Sequence, residues 1–348
     1  MRHPIGYFLS IPIALLLLLG TRIGGVGYWI IPILSFLCTP FLERWLGTSR
    51  WPSANALKNI TPGRERGYEA APVIAGLVTL AVLARVLWLA STRSLTGWEF
   101  AGLTISTGIM TGYVGIVVAH ELMHREDRPR RLLAWVLMSA AIYPHFCVEH
   151  VLGHHPRFAT PADPATARRG ENFYFFVPRS IVGGLISAIK LRPVPVLVAY
   201  VLIVLVLAGI SAGLGPVAFK LALLQGAIAI VLLEGINYLE HYGLQRKQLA
   251  NGRYEAPGPA HSWDTSVLVT NLNIFNLGRH SDHHSFSRRP YYRLRHNAEA
   301  PQLPHGYATM FLMALVPPLW FATMDRRLDE WAAQHGGDSN SPSATPAE

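Results

Sequence analysis

The chain has 348 residues, a net charge of +9, 51% hydrophobic residues and only 15% charged residues, against about 25% charged residues in soluble proteins. This composition excludes an ordinary soluble globular protein. Two cysteines in apolar surroundings exclude a disulfide framework. The positive charge does not indicate nucleic acid as a partner, because it is concentrated in alternate loops between apolar stretches.

Six stretches almost free of charge are predicted to be transmembrane helices, because a helix of about 20 apolar residues crosses the hydrocarbon core. They cover residues 6–21, 27–42, 71–91, 100–119, 194–213 and 216–236. No cleavage-site pattern follows the first stretch, so we interpret it as a retained span. The last two stretches are separated by Leu214 and Gly215 and are predicted to form a hairpin.

These spans predict an all-α membrane protein with a single integral-membrane domain over residues 1–336. Residues 337–348, rich in Ser, Pro and acidic side chains, are predicted to be a disordered tail. The apolar run 132–147 is too short to cross, which favours a re-entrant or interfacial helix. The run 307–324 is interrupted by Pro317 and Pro318, so we interpret it as interfacial or partly buried.

Basic residues predict the orientation in the membrane. Nine of them lie in the loops after the second and fourth spans: Arg44, Arg50, Lys58, Arg64, Arg66, Arg125, Arg128, Arg130 and Arg131. The short connections after the first and third spans carry only Arg22 and Arg93. The positive-inside rule therefore places the N-terminus and the basic loops in the cytoplasm.

Nine of the fifteen histidines fall in four clusters just outside the apolar stretches. They are His120 and His124; His150, His154 and His155; His241; and His280, His283 and His284. Neutral imidazole is the commonest metal ligand in proteins and suits iron, zinc and copper. One ion cannot use nine imidazoles, so two ions are expected. Counting the crossings brings all four clusters to the cytoplasmic face, which predicts one site.

The spacing within the clusters supports chelation. On a helix, residues three or four apart share a face, which applies to His120 and His124, to His150 and His154, and to the last three histidines. His155 is expected on an adjacent face. Four carboxylates sit beside these ligand candidates: Glu121, Glu149, Glu240 and Asp282. Orientation of an imidazole through its free ring nitrogen, direct ligation and simple solvation all remain open for them.

Two other interpretations compete at this point. The pattern His120–Glu121–x–x–His124 is also the zinc metalloprotease motif, but a protease site uses about three protein ligands and leaves seven histidines unexplained. A metal transporter is disfavoured, because transporter sites lie near the middle of the membrane rather than at one face.

Four motifs in this order resemble the integral-membrane alkane hydroxylases (alkane 1-monooxygenases), within the histidine-rich desaturase and hydroxylase superfamily. The resemblance is carried by Glu149–His150–x–x–Gly153–His154–His155, Asn237–Tyr238–x–Glu240–His241–Tyr242–Gly243–Leu244 and Arg279–His280–Ser281–Asp282–His283–His284. Connecting segments such as Asp163–Pro164–Ala165 and His261–Ser262–Trp263 are similar too, and the likeness covers roughly residues 70–330. The chain departs from the family pattern at Met123, Arg125 and Gly278.

The resemblance implies two non-haem iron ions held by the nine histidines, with O₂ as oxidant. It also implies electrons from a rubredoxin and its NAD(P)H-dependent reductase, and a hydrophobic alkane that enters from the membrane lipid. The expected reaction is hydroxylation of a terminal methyl group to a primary alcohol. Because cleavage of such a C–H bond is redox chemistry, zinc does not suit it. The alternative is the same chemistry on xylene-type methyl groups or on fatty acyl chains, by hydroxylation or desaturation.

Overall fold

A computed structural model describes residues 4–50 and 60–335, and in these residues the protein is all-helical, as predicted. β-Pairing within the described ranges is limited to isolated bridges. The helices in chain order are α1 (Gly6–Ile23), α2 (Gly25–Leu46), α3 (Pro62–Thr92), α4 (Gly97–Met123), α5 (Arg128–Ala140), α6 (the π-helix Glu149–His154), α7 (Phe173–Leu191), α8 (Pro193–His241), α9 (Leu268–Asn273), α10 (His280–Ser285), α11 (Tyr307–Ala314) and α12 (Pro317–His335). The predicted tail 337–348 lies outside the described residues.

Six of these helices are long and apolar enough to cross a membrane: α1, α2, α3, α4, α7 and α8. All six spans expected from the sequence lie within α1 to α4 and α8, because α8 contains two of them. The remaining candidate, α7, is not among the spans expected from the sequence. Its mean hydropathy of 1.3 is the lowest of the six.

Helix α8 is a hairpin rather than one rod. A straight helix of its 49 residues would be about 74 Å long, more than twice the hydrocarbon core. Gly215 breaks it with φ 82° and ψ 178°, a conformation that favours glycine. Tyr200 lies before the break and contacts His145, and Glu234 lies after it and contacts Tyr143. Because the rings of Tyr143 and His145 are in contact, the two halves of α8 lie side by side. The predicted hairpin is therefore present.

Helix α4 is the central element of the bundle. Its N-terminus is fixed by a capping box in which Thr96 and Glu99 satisfy each other's backbone N–H groups. Most of its residues are buried, and a π-helical segment, Thr111–Ile116, interrupts it two turns before its end. Such segments are frequent at functional sites, because they rotate the side chains that follow.

The shorter helices close the histidine-bearing end of the bundle. Helix α5 begins before the stretch 132–147 that was expected to be re-entrant and covers its first part. Its Ala134, Leu137 and Met138 pack in the same core as Ala119 on α4. Helices α11 and α12 are separated just before Pro317, as the proline pair predicts. Helix α7 begins against Tyr238, and fourteen residues later Ser187 accepts a 2.6 Å hydrogen bond from Arg157. It therefore runs alongside the histidine clusters.

Candidate metal centre

Helix α4 carries the first histidine pair into the interior. His120 lies in its last turn and His124 directly follows its end. The two ring centroids are 5.2 Å apart, as expected for neighbours on one helix face. His120 is buried and His124 is half-buried.

The second cluster differs from a regular α-helix. His150 and His154 lie in the π-helix α6, and His155 is the next residue. A regular helix would turn His155 to an adjacent face, but a π-helix brings residues five apart together. The Nε2 atoms of His150 and His155 are 3.0 Å apart. His155 therefore turns toward His150 and not to the adjacent face that a regular helix predicts.

The remaining four ligand candidates come from two elements. His241 is the last residue of α8, and His280, His283 and His284 share one face of the short helix α10. The start of α10 is held by Asp264, which accepts hydrogen bonds from the Ser281 backbone N–H at 2.7 Å and from its hydroxyl at 2.9 Å. Burial raises the pKa of Asp264 to about 7. The sequence motifs gave no separate signal for this residue beyond its position after Trp263.

Eight of the nine histidines converge into two groups. In each group, one possible ligand atom from every member lies within 4.8 Å of the others. The first histidine group is His120, His124, His150 and His283, and the second histidine group is His154, His241, His280 and His284. His155 lies between them, 3.0 Å from His150 by Nε2 atoms and 4.5 Å from His284 by ring centroids.

The distances between the imidazole nitrogens match those expected when neighbouring histidines bind the same metal ion. Metal–nitrogen bonds of about 2.0–2.1 Å place neighbouring ligand nitrogens roughly 3 Å apart. In the second histidine group the Nε2 atoms of His280 and His284 are 2.9 Å apart, and those of His280 and His241 are 3.1 Å apart. In the first group, Nε2 of His120, of His124 and of His283 is buried without a hydrogen-bond partner. A buried imidazole nitrogen without a hydrogen-bond partner is available to bind a metal ion.

The electrostatics keep these imidazoles neutral. Burial, which penalises the charged form, lowers the pKa of His124 to about 3, and repulsion from His154 adds to the effect. The same two causes, burial first and neighbouring histidines second, hold the pKa values of His150, His155, His280, His283 and His284 well below the usual range. A neutral imidazole is the form that binds a metal ion.

In the described part of the chain, two carboxylates approach a ring nitrogen of one of the nine clustered histidines, and both lie beside the second histidine group. Glu240 is one of the four expected from the sequence: its Oε1 lies 3.2 Å from Nδ1 of His280 and accepts a 2.6 Å hydrogen bond from Tyr307. The other is Asp163, whose Oδ2 lies 2.9 Å from Nδ1 of His154. Sequence reasoning missed this role, although the segment around Asp163 was part of the family resemblance.

The three other carboxylates expected near the ligands contact arginines instead. Glu121 pairs with Arg125, one turn further along the chain. Glu149 accepts a 2.8 Å hydrogen bond from Arg157, and Asp282 accepts two from Arg289, at 2.5 and 2.6 Å. These side chains therefore tie the histidine-bearing segments to basic neighbours.

An apolar cavity of ≈ 170 Å³ leads from between the helices to the histidines. Its wall includes Ile109 and Ile116 on α4 and Phe36 on α2, and it ends at His120, His150 and His280. From Ile109 to His120 the helix advances about 16 Å at 1.5 Å per residue. A cavity with mainly apolar walls favours hydrocarbon over water.

Comparison with known proteins agrees with this arrangement. The family model for fatty acid desaturase matches residues 96–314. The alkane 1-monooxygenase 2 of Pseudomonas aeruginosa is 35% identical over 347 residues, covering 93% of this chain and 90% of that protein. The alkane 1-monooxygenase of Acinetobacter baylyi is 36% identical over 316 residues, 86% of this chain and 76% of the relative. The xylene/toluene monooxygenase hydroxylase component XylM of Pseudomonas putida is 28% identical over 350 residues, 92% of this chain and 86% of the relative.

The chain belongs to the fatty acid desaturase family, whose model covers more than half of it. Within that family it is a member of the alkane 1-monooxygenases, and thus an oxidoreductase and a multi-pass membrane protein. The resemblance found in the sequence motifs is confirmed.

Proposed function

We propose that this protein is a di-iron monooxygenase that hydroxylates the terminal methyl group of alkanes to primary alcohols. The observation that carries the proposal is the apolar cavity, which joins the region between the helices to members of both histidine groups. The alkane monooxygenases that match most of the chain support the same reaction and substrate class.

The donor set fits two iron ions. The first and second histidine groups would each hold one ion through four neutral imidazoles, with His155 placed to complete either set. All-nitrogen coordination suits iron. Asp163 would fix the tautomer and direction of His154 through its hydrogen bond, and the Glu240 carboxylate would lie beside His280. When bound, iron supplies the redox chemistry that activates O₂ for insertion into a C–H bond.

The chain itself would determine where oxidation occurs. Because the cavity is mainly apolar and its lining includes His120, His150 and His280, an alkane lying in it would present one end to the site. Holding a reactant in one orientation favours reaction at the atom that is held nearest. This orientation opposes the intrinsic preference for weaker secondary C–H bonds, so we expect primary rather than secondary alcohols.

Electrons would come from a rubredoxin, reduced by an NAD(P)H-dependent reductase, on the cytoplasmic side of the bacterial inner membrane. The positive-inside pattern of the loops supports this orientation. Basic residues near the histidine clusters would steer a small acidic partner: the side chain of Arg288 is 82% exposed and that of Arg130 is 30% exposed. The same arginines also suit contact with anionic lipid headgroups.

The test is metal analysis of the purified protein coupled to a product assay. Iron-loaded protein should contain close to two irons per chain and, with rubredoxin, reductase and NADH, convert octane to 1-octanol. His154→Ala and His283→Ala should lose metal and activity but still insert into the membrane, because the spans do not depend on the site. One zinc per chain with no iron requirement would overturn the di-iron assignment. Oxidation of xylenes but not alkanes would favour the xylene-type alternative, and new double bonds in acyl lipids would favour a desaturase.

A further inference from the structure

A second pocket, lined in part by polar side chains, lies beside the second histidine group and has no place in the reaction scheme above. Its walls include Tyr143, His145, Glu149, His154, Glu234 and Asn237. Its volume is ≈ 10 Å³, which is close to the minimum for one water molecule, about 10–15 Å³. A bound water also needs two to four polar partners, and this wall supplies them.

Glu234 is one of the two carboxyl groups in the wall of this pocket. It is buried, and it accepts a 2.6 Å hydrogen bond from the Tyr143 hydroxyl and a 3.3 Å one from the Asn237 amide. Both donors are neutral. A carboxyl group inside a membrane protein is costly and marks a functional position by default, proton transfer being one such function.

His145 also lines this pocket, and only one of its two ring nitrogens has a hydrogen-bond partner. Its Nδ1 is 2.7 Å from the Tyr200 hydroxyl, while its Nε2 is buried and has no hydrogen-bond partner. This Nε2 lies 3.8 Å from the position that a Cβ atom would take on Gly184, which also lines the pocket. A buried imidazole nitrogen without a partner, aimed at a water-sized space, is the second observation that points to a ligand.

The pocket lies between the protein surface and the apolar cavity. Asn237 and Phe146 line both the pocket and the cavity, so the Glu234–Asn237 hydrogen bond spans the wall between them. On the outer side, Glu149 is joined to Arg157, whose side chain is one-third exposed. Polar side chains therefore lie between the surface and the histidine centre on this side, whereas the wall of the cavity is mainly apolar.

We propose that this pocket is a proton-delivery site, in which a water bound between His145 and Glu234 passes protons toward the histidine centre. The proposal rests on the proposed function. Hydroxylation of an alkane, RH + O₂ + 2e⁻ + 2H⁺ → ROH + H₂O, breaks a C–H bond and the O–O bond and forms one C–O bond. The second oxygen atom leaves as water with the two protons. The rubredoxin supplies the two electrons, and this pocket supplies the route for the protons.

The first test is Glu234→Gln, which keeps the size of the side chain but removes its acid. Groups that transfer protons contribute roughly 10²–10⁴-fold to a rate, so we expect the turnover of octane to fall at least tenfold. More NADH should be consumed per alcohol, the solvent deuterium isotope effect should increase, and iron content should stay at the wild-type value. Glu234→Asp should restore part of the rate. Wild-type turnover, coupling and isotope effect in Glu234→Gln would overturn the proposal.

A second variant keeps Glu234 and removes the space for water. A Cβ atom on Gly184 would meet its nearest neighbours at 3.7 and 3.8 Å, which are ordinary contacts, so Gly184→Ala should fold. Gly209→Ala is the matched control, because nothing lies within 4 Å of its Cβ position. We expect Gly184→Ala, but not Gly209→Ala, to lose coupling of NADH oxidation to alcohol formation. Equal coupling in both variants would overturn the proposal, even where Glu234→Gln fails to fold.

A readout independent of activity is a high-resolution experimental structure. The wild type should show one ordered water within hydrogen-bonding distance of Nε2 of His145, and Gly184→Ala should show none. Absence of the water from the wild type would overturn the proposal. Failure of the proposed function is distinguishable, because in that case the wild-type protein itself would not hydroxylate alkanes or would contain no iron.

Discussion

Replacement of Asp163 by Ala should weaken the binding of one of the two proposed ions and leave the binding of the other unchanged. Asp163 is 2% exposed, and its Oδ2 contacts Nδ1 of His154 at 2.9 Å and the Thr166 hydroxyl at 2.7 Å. Removal of a carboxylate that orients a ligand costs roughly 10–100-fold in metal affinity, which is about 1.4–2.8 kcal/mol. His154 belongs to the second histidine group only, so the loss should be confined to that ion.

The assay is a titration of the iron-loaded protein with increasing chelator, with the metal remaining per chain measured at each step. We expect Asp163→Ala to release about one equivalent at a chelator concentration that leaves the wild type loaded, and the second equivalent at the wild-type concentration. Asp163→Asn should show a smaller shift, because it still has an oxygen that accepts a hydrogen bond.

Asp329→Asn is the control for removal of a carboxylate. Asp329 pairs with Arg169 at the surface, where its side chain is 64% exposed, and such pairs contribute only about 0–1 kcal/mol. The Asp329→Asn variant should therefore release its metal at the same chelator concentrations as the wild type. The assignment of Asp163 to a single ion is wrong if Asp163→Ala releases both equivalents at the same lowered chelator concentration. It is also wrong if both equivalents are released at the wild-type concentration.

Three further predictions concern the fold and the cavity. Cysteines introduced at residues 160–170 and 250–260 should react with membrane-impermeant reagents only from the cytoplasmic side; labelling from the periplasm would contradict the topology. Ile109→Phe should reduce kcat/KM for long alkanes about tenfold but leave short ones unaffected, and an equal loss for all lengths would argue against an end-on cavity. Glu43→Ala should lower the thermal unfolding temperature, because Glu43 is buried and its oxygens accept hydrogen bonds from several groups, each costing about 1–3 kcal/mol when left unpaired. Glu126→Ala, at a side chain 80% exposed, should not lower it, and equal effects would refute the reasoning.

The spans and the family follow from the sequence alone, because hydropathy and histidine spacing are local properties. A run of about 20 apolar residues has few alternatives to a membrane helix, and imidazoles three or four apart share a helix face wherever the helix lies. The break at Gly215 is also local, since a glycine beside a proline seldom continues a helix. For α7 the same hydropathy rule gave no clear prediction. A helix that packs beside the site and a helix that crosses the membrane can have similar compositions.

Only the tertiary structure decided how the candidate ligands are divided into two groups and which side chains surround them. His150 and His283 are 133 positions apart in the sequence, yet they share the first histidine group, and the π-helix that turns His155 toward His150 has no signature in residue spacing. Asp163 contacts His154, whereas Glu121 and Asp282, each next to a histidine in the chain, contact arginines. Adjacency in sequence places two residues on one element, but the partner of a buried charge is determined by which elements pack against it, and that packing depends on the whole fold.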